Sequence, residues 1–204
     1  MTLVDVCDCD RDIQAGTWSA APLTNPKPLQ EFRGQITFRR KFAVTPIVVV
    51  WLIGFDFLKG KNFRIKAEAT EVTATGFNIK IATWYDSVLY WASASWIAYY
   101  PDSPRIKSGS YSTNDVRPWD RPQLLDSGSA KFPGKPFPWP PLLFIGVNMF
   151  DIAADKGTSI RWKATASDIT KDGFKWQCDS WYDTVKYAVG ASYLALDVGP
   201  SAPN

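Results

Sequence analysis

Two apolar runs, residues 46–55 and 141–150, dominate the hydrophobic pattern of the chain. Both open on a proline and are rich in Val, Ile and Leu. A continuous run of this length, bounded by turn residues, predicts a strand covered on both faces. Elsewhere the pattern alternates. Phe77, Ile79 and Ile81 share one parity, against Asn78, Lys80, Ala82 and Trp84 on the other. Phe174, Trp176 and Cys178 likewise oppose Lys175, Gln177, Asp179 and Trp181, as on half-buried strands. Thr75-Gly76-Phe77 and Asp172-Gly173-Phe174 read as Gly-centred hairpin turns. The Pro-rich stretches 25–28 and 135–141 read as loops, because Pro cannot donate to a ladder. No segment carries a capped 3.6-residue period. The pattern predicts an all-β chain built as a small antiparallel sandwich.

The pattern also repeats. With Arg64 set against Arg161, residues 64–98 align at a constant offset of 97 without a gap, and 15 of 35 columns are identical. The identities include Lys66/Lys163, Gly76/Gly173, Phe77/Phe174, Trp84/Trp181, Tyr85/Tyr182, Asp86/Asp183, Val88/Val185 and Tyr90/Tyr187. Upstream, the apolar run ending Phe55-Asp56 echoes the one ending Phe150-Asp151, and Ile13-Gln-Ala-Gly16 echoes Ile106-Lys-Ser-Gly109. Duplication on this scale implies two homologous units. The boundary is expected near Pro101–Pro104, giving domains 1–102 and 103–204.

Strand parity puts Trp84 and Trp181 at the ends of polar faces, and Arg64 and Arg161 in register with polar neighbours. One account is that the strand kinks and returns the Trp to the core, or that a domain–domain contact covers it. The other is a binding surface. A sugar presents an apolar C–H face to Trp or Tyr, while its hydroxyls need planar, charged partners. Arg supplies a rigid donor fork, and a carboxylate accepts from vicinal hydroxyls.

Composition then narrows the chemistry. Among 204 residues there is no histidine, which removes every Ser-His-Asp or Cys-His relay and any His-based zinc site. At 46% hydrophobic and 21% charged, the chain has the material for a core. A net charge of +3 is too small for a nucleic-acid footprint. No apolar run is long enough to insert in a membrane as a helix. Cys7, Cys9 and Cys178 make a disulfide framework unexpected, and Cys7-x-Cys9 is too sparse for a metal site. No cofactor is expected. The acidic start lacks a signal-like apolar region, so the expected location is the cytoplasm, with release or non-classical secretion as the alternative.

The pattern Gly-Phe-x(6)-Trp-x-Asp-[Ser/Thr]-x-x-Tyr, preceded by Arg-[Ile/Trp]-x-Ala and an apolar strand ending Phe-Asp, resembles the H-type lectin domain. That is the family of snail agglutinins and of the C-terminal part of discoidins. The resemblance covers roughly 13–100 and 106–198. It implies two tandem six-stranded antiparallel β-sandwich domains, assembly as a homotrimer, and terminal galactose or N-acetylgalactosamine bound at clefts between neighbouring domains. Glycoproteins or glycolipids would be the partners, cell adhesion or defence the setting, and agglutination the activity.

Carried over by position, Arg64 and Arg161 match the arginine that bonds sugar hydroxyls. Trp84 and Trp181 match the aromatic flanking the ring, and Tyr90 and Tyr187 a cleft tyrosine. A snail member of the family has a histidine after this Trp, where Tyr85 and Tyr182 stand here; Tyr still donates a hydrogen bond. The nearest candidates for the family's sugar-binding aspartate are Asn25 in copy one and Asp120 in copy two. Asp86 and Asp183 either line the cleft or cap a turn. Two other classes compete: a glycosidase using carboxylates such as Asp56 and Asp86, and a structural module whose aromatics are buried in an oligomer.

Overall fold

A computed structural model describes residues 13–20, 29–154 and 159–200. Copy one contains β1 (Ile13–Ser19), β2 (Glu31–Thr37), β3 (Ile47–Phe57), β4 (Phe63–Thr70), β5 (Gly76–Ala82) and β6 (Leu89–Tyr99). Copy two contains β7 (Ile106–Ser112), β8 (Leu125–Lys131), β9 (Leu142–Ile152), β10 (Trp162–Ser167), β11 (Gly173–Ser180) and β12 (Lys186–Leu196). The only helical element among the described residues is a 3-10 turn, Thr113–Asp115, capped by Ser112. The all-β expectation holds, and the strand pairings are antiparallel.

Three sheets result: β1-β6-β3, β10-β11-β8, and a six-stranded sheet ordered β2-β5-β4-β9-β12-β7. The long sheet joins the copies, because β4 of copy one pairs with β9 of copy two. Phe63 faces Ile152, Arg64 faces Asp151, Ile65 faces Phe150 and Lys66 faces Met149. The sequence gives no sign that one sheet runs through both copies.

Alternation explains the core. In β5, Phe77, Ile79 and Ile81 are buried; in β11, Phe174, Trp176 and Cys178 are. Burial pushes the Cys178 thiol up to about 11, far from reactive at neutral pH. Phe77 meets Trp96 of β6 edge-on at 5.3 Å, and its repeat partner Phe174 meets Tyr193 of β12 at 5.1 Å. The glycines of the repeated openings make room for those rings. A Cβ on Gly16 would lie 2.9 Å from Trp96, and one on Gly109 would lie 2.6 Å from the Tyr193 hydroxyl. Gly76 and Gly173 open their strands instead of forming the hairpin tips. A Cβ there would stand 2.1 Å and 2.2 Å from carbonyls of the neighbouring strands. In the β4–β5 and β10–β11 connections the left-handed residues are Glu71 and Asp168.

Strand β3 is covered on both faces from Ile47 to Leu52, as its apolar run predicts, whereas Ile53 and Phe55 further along are about half exposed. Val48, Val50 and Leu52 join the main core. Ile47, Val49 and Trp51 pack with Leu194 and Leu196 of β12. Trp51 donates its Nε1–H to the Ser192 carbonyl at 3.0 Å, and its ring lies over Gly146. A Cβ on Gly146 would fall 2.0 Å from Trp51 Cδ1, so Gly146→Ala forces the indole off its seat. Overpacking of this kind costs about 1–3 kcal/mol. At roughly 2–4 °C per kcal/mol for a chain of this size, a thermal melt is expected to shift down by several degrees.

Candidate functional site

The turns that follow β5 and β11 build the same side-chain cluster twice. In copy one, Thr83 Oγ1 donates to the Arg64 carbonyl at 2.6 Å, and the Ser87 amide bonds back to the Trp84 carbonyl. This tight turn forces Tyr85 into the left-handed region, φ 60°, and Tyr182 into the same place, φ 57°. Both rings stand in solvent, 84% and 83% exposed. A left-handed non-Gly residue costs of order 1–3 kcal/mol and persists only when its surroundings hold it.

Those surroundings are Arg and Asp. Arg64 Nη1 donates to Asp86 Oδ1 at 2.7 Å and to Ser87 Oγ at 3.2 Å, and the guanidinium lies 5.2 Å from the Tyr85 ring centre. Arg161 Nη1 donates to Asp183 Oδ1 at 2.6 Å and lies 5.4 Å from the Tyr182 ring centre. The arginine bond, with Lys61 alongside, holds the Asp86 carboxyl below the usual range. Asp183 is lowered first by the Ser159 amide, then by its own amide and by Arg161, against the opposing effect of burial. Both are therefore acceptors at neutral pH, and the arginines present donor edges next to them.

The two clusters differ in their surroundings. Arg64 lies in the seam between the copies. Its side chain is 11% exposed, and its Nε sits 3.3 Å from Asp151 Oδ1 across the β4–β9 ladder. Burial raises the Asp151 carboxyl, against the pull of Arg64. The Arg161 side chain is 36% exposed and pairs with Asp183 alone among the described residues. An open depression lies against Arg161, Tyr182 and Asp183.

The other sequence candidates are placed less closely. Trp84 is half-buried and Trp181 exposed, each opening its turn. The kink that would return them to the core is absent, and the turn itself carries them out of the strand. Tyr90 and Tyr187 are half-buried at the starts of β6 and β12. No hydrogen bond or ring contact among the described residues joins them to Arg64 or Arg161. Asn25 lies outside the described residues. Asp120 is exposed in the loop before β8 and makes no described contact with either arginine.

Two features went unread in the sequence. Trp119, next to Asp120, is 61% exposed and meets the Tyr187 ring edge-on at 6.3 Å. Its loop is pinned by a buried ionic group. Arg117 donates Nε and Nη2 to the two oxygens of Asp126 at 2.7 and 3.0 Å, and Lys186 Nζ stands 2.7 Å from Asp126. Arg117 also donates to the carbonyls of Pro118, Lys186 and Tyr187. In copy one the positions of Asp126 and Lys186 are held by Phe32 and Leu89, both in the core. That apolar-to-ionic exchange was the available signal.

Among the described residues no group of His, Cys, Asp and Glu is placed to hold a metal ion, and no helix is long and apolar enough to cross a membrane. Replacing Tyr85 and Tyr182 by Gly relieves the left-handed strain but removes an aromatic platform. Stability is expected to stay within about 1 kcal/mol, because the added unfolded-state freedom of Gly offsets the relief. A thermal melt beside a sugar titration checks this: the melt should hold and the affinity should fall.

Over 69 residues the chain is 35% identical to a Fuscovulum blasticum protein described as "ATP synthase subunits region ORF 7", a match spanning 34% of the chain and 60% of that relative. Two solved structures of discoidin II from Dictyostelium discoideum, recombinant and wild-type, are similar at 15% identity and a TM-score of 0.40. They match over 77% and 81% of this chain and 74% and 76% of theirs. The family model for the H-type lectin domain matches residues 33–99 and again 128–196, one match within each copy. The chain belongs to the H-type lectin domain family and carries that domain twice.

Proposed function

We propose that the chain is a multivalent carbohydrate-binding lectin. Each copy binds a terminal galactose or N-acetylgalactosamine type of sugar at its Arg–Tyr–Asp cluster, and a homotrimer of chains agglutinates glycan-bearing cells. The observation that carries this reading is the repetition. Arg64–Tyr85–Asp86 and Arg161–Tyr182–Asp183 take up the same geometry, left-handed tyrosine included, in copies that differ over more than half of their aligned columns. The exposed tyrosine ring offers a stacking face for the C–H side of the sugar. The arginine fork donates to ring hydroxyls, and the carboxylate accepts from a neighbouring one. Because donors and acceptors are already held by one another, a sugar inserts into an ordered pair and loses less affinity to ordering.

The same features support binding without turnover. A general acid needs a raised carboxyl within reach of the bound sugar; Asp86 is held low by Arg64, and the carboxyl that burial raises, Asp151, is enclosed in the β4–β9 seam. The chain carries no histidine.

Weak single sites gain roughly 10²–10⁴ in avidity when several bind at once. A glycan array and an agglutination assay test the proposal. The expected result is binding to terminal galactose-type glycans, agglutination blocked by free galactose, and loss of both in Arg64→Ala/Arg161→Ala. No binding on the array, with agglutination unchanged in the double variant, would overturn it.

A further inference from the structure

The end of the molecule opposite the Arg–Tyr–Asp clusters carries a second repeated device. β5 and β11, of 7 and 8 residues, run from this end to the clusters. At about 3.3 Å per residue they hold the two ends roughly 25 Å apart. The antiparallel β4–β9 pairing brings this end of both copies to the same side. The loop entering β3 is seated on Phe38 and Phe42, both buried, their rings edge-on at 5.0 Å. The loop entering β9 is seated in the same way on Phe132 and Phe137, edge-on at 5.3 Å. The Phe38 and Phe42 amides donate to the carbonyls of Thr75 and Ala74, and those of Phe132 and Phe137 to Asp172 and Lys171. Each loop is thereby fixed to the neighbouring connection.

Two seated rings turn the residues between and after them outward. Between them stand Arg39, Arg40 and Lys41 in copy one and Lys135 in copy two, all exposed. Two residues past the second phenylalanine comes an apolar side chain about half exposed, Val44 in one copy and Trp139 in the other. Single exposed apolar residues are ordinary on protein surfaces; these two hold the same place after the same anchor. Lys131 and Lys171 stand exposed beside the second loop. Lys107 lies over the Phe137 ring at 4.3 Å and donates to the Lys135 carbonyl, which stiffens that loop further. Carboxylates reach this end too. Asp168 is held by Lys175 at 2.8 Å and Glu71 by the Asn78 amide, and the others, Asp102, Asp172 and Asp197, are outnumbered by the cations.

We propose that this end docks on an anionic phospholipid surface, its cations over lipid phosphates and Val44 and Trp139 entering the headgroup layer. A negative leaflet attracts Lys and Arg close to it, and a Trp ring is at home between headgroups and acyl chains. A soluble polyanion would meet the same cations but leave Val44 and Trp139 in water, so the apolar tips favour the lipid. Docked in this way, both Arg–Tyr–Asp clusters face away from the membrane and stay open. The docking rests on the two loops alone and is independent of the lectin reading.

The test is flotation of the full chain with vesicles of phosphatidylcholine alone or of phosphatidylcholine and phosphatidylserine in equal parts. Neither lipid carries a sugar, so the Arg–Tyr–Asp clusters take no part. The chain is expected to float with the anionic vesicles only, and to be released as added salt shortens the screening length. Lys41→Glu/Lys135→Glu should lower partitioning by about 25-fold or more, from roughly five-fold per cation near a charged surface. Lys59→Glu, exposed in the β3–β4 connection at the cluster end, should leave it unchanged. Val44→Ser/Trp139→Ser should weaken it several-fold with every charge in place. A thermal melt of each variant is expected to match the parent, since all five positions are exposed in loops. The lipid and salt comparisons use the unmodified chain and need no variant. No flotation with anionic vesicles, equal flotation with neutral ones, or indifference to either double variant overturns the proposal. Retention on a heparin column without flotation also overturns it and assigns the end to a soluble polyanion. A galactose titration keeps the two readings apart. Flotation without sugar binding refutes the lectin reading alone, and sugar binding without flotation refutes the docking alone.

Discussion

Replacing Asp126 by Ala is expected to destabilise the protein by about 3–5 kcal/mol, because it strands two buried cations at once. The Asp126 and Lys186 side chains are 1% and 0% exposed and that of Arg117 4%. Arg117 would keep its backbone carbonyl partners but lose the only carboxylate, and Lys186 would keep the Cys178 carbonyl alone. At roughly 2–4 °C per kcal/mol, the melting temperature should fall by about 6–20 °C. Copy one shows the alternative solution, with Phe32 and Leu89 where copy two has Asp126 and Lys186. Replacing the whole group, Arg117→Met/Asp126→Phe/Lys186→Leu, is therefore expected to recover most of the loss, since apolar substitutes for buried ion groups are commonly neutral or stabilising. What the triple variant should not recover is the order of the 113–124 loop. Two carbonyl bonds from Arg117, to Lys186 and Tyr187, tie that loop to β12 below Trp119. A melt within a degree or two of the parent for Asp126→Ala would contradict the description of this group as a buried, mutually dependent network.

The second large effect separates the two copies. Arg64→Ala is expected to lose both sugar affinity and stability, while Arg161→Ala loses sugar affinity with little change in the melt. Removing Arg64 leaves Asp151, whose side chain is 14% exposed, without its cation in the seam. The cost should sit at the low end of the range for a broken buried pair, about 3 kcal/mol. Arg161 pairs with a half-exposed carboxylate in screened surroundings, where an ion pair contributes little. For sugar binding the two losses should be similar. A hydrogen bond to a charged group is worth about 1.5–3 kcal/mol, or roughly 10- to 100-fold in affinity. Thermal melts and sugar titrations of the two single variants check both halves. Equal destabilisation by both would mean that the seam does not distinguish the copies.

Much of this architecture could be read in the sequence, and the parts that could not share a physical cause. The buried sets of β5 and β11 followed from alternation because burial on one face is written directly into every second residue. The strands β3 and β9 followed from their apolar runs, but the expected cover on both faces fails where Ile53, Phe55, Leu142 and Phe144 stand about half exposed. The repeat located the Arg, Tyr and Asp of the cluster, since all three are identical in both copies and make the same contacts with one another there. What stayed hidden depends on contacts between distant parts of the chain. An alignment treats Arg64 and Arg161 as equals, and only the β4–β9 pairing makes one buried and the other open. Asp151 belonged to a noted Phe-Asp motif, yet its role beside Arg64 follows from ladder register. Gly76 reads as a turn residue because glycine punctuates turns; its reason is the Ile36 carbonyl, which leaves no room for a Cβ. Trp119 has no aligned counterpart in copy one, so the repeat gave it no weight. The tyrosines after Trp84 and Trp181 were read as histidine replacements, and the structure adds that their backbone is left-handed and their rings point into solvent.

The most direct test of the account is a galactose titration of the unmodified chain, read by isothermal calorimetry or by chemical shifts of the tyrosine and tryptophan rings. Two saturable sites per chain are predicted, with perturbations at Tyr85 and Tyr182, and one site should vanish in each of Arg64→Ala and Arg161→Ala. No saturable binding up to tens of millimolar sugar, or binding that leaves both tyrosines unperturbed, would contradict the assignment of the Arg–Tyr–Asp clusters as the sugar sites.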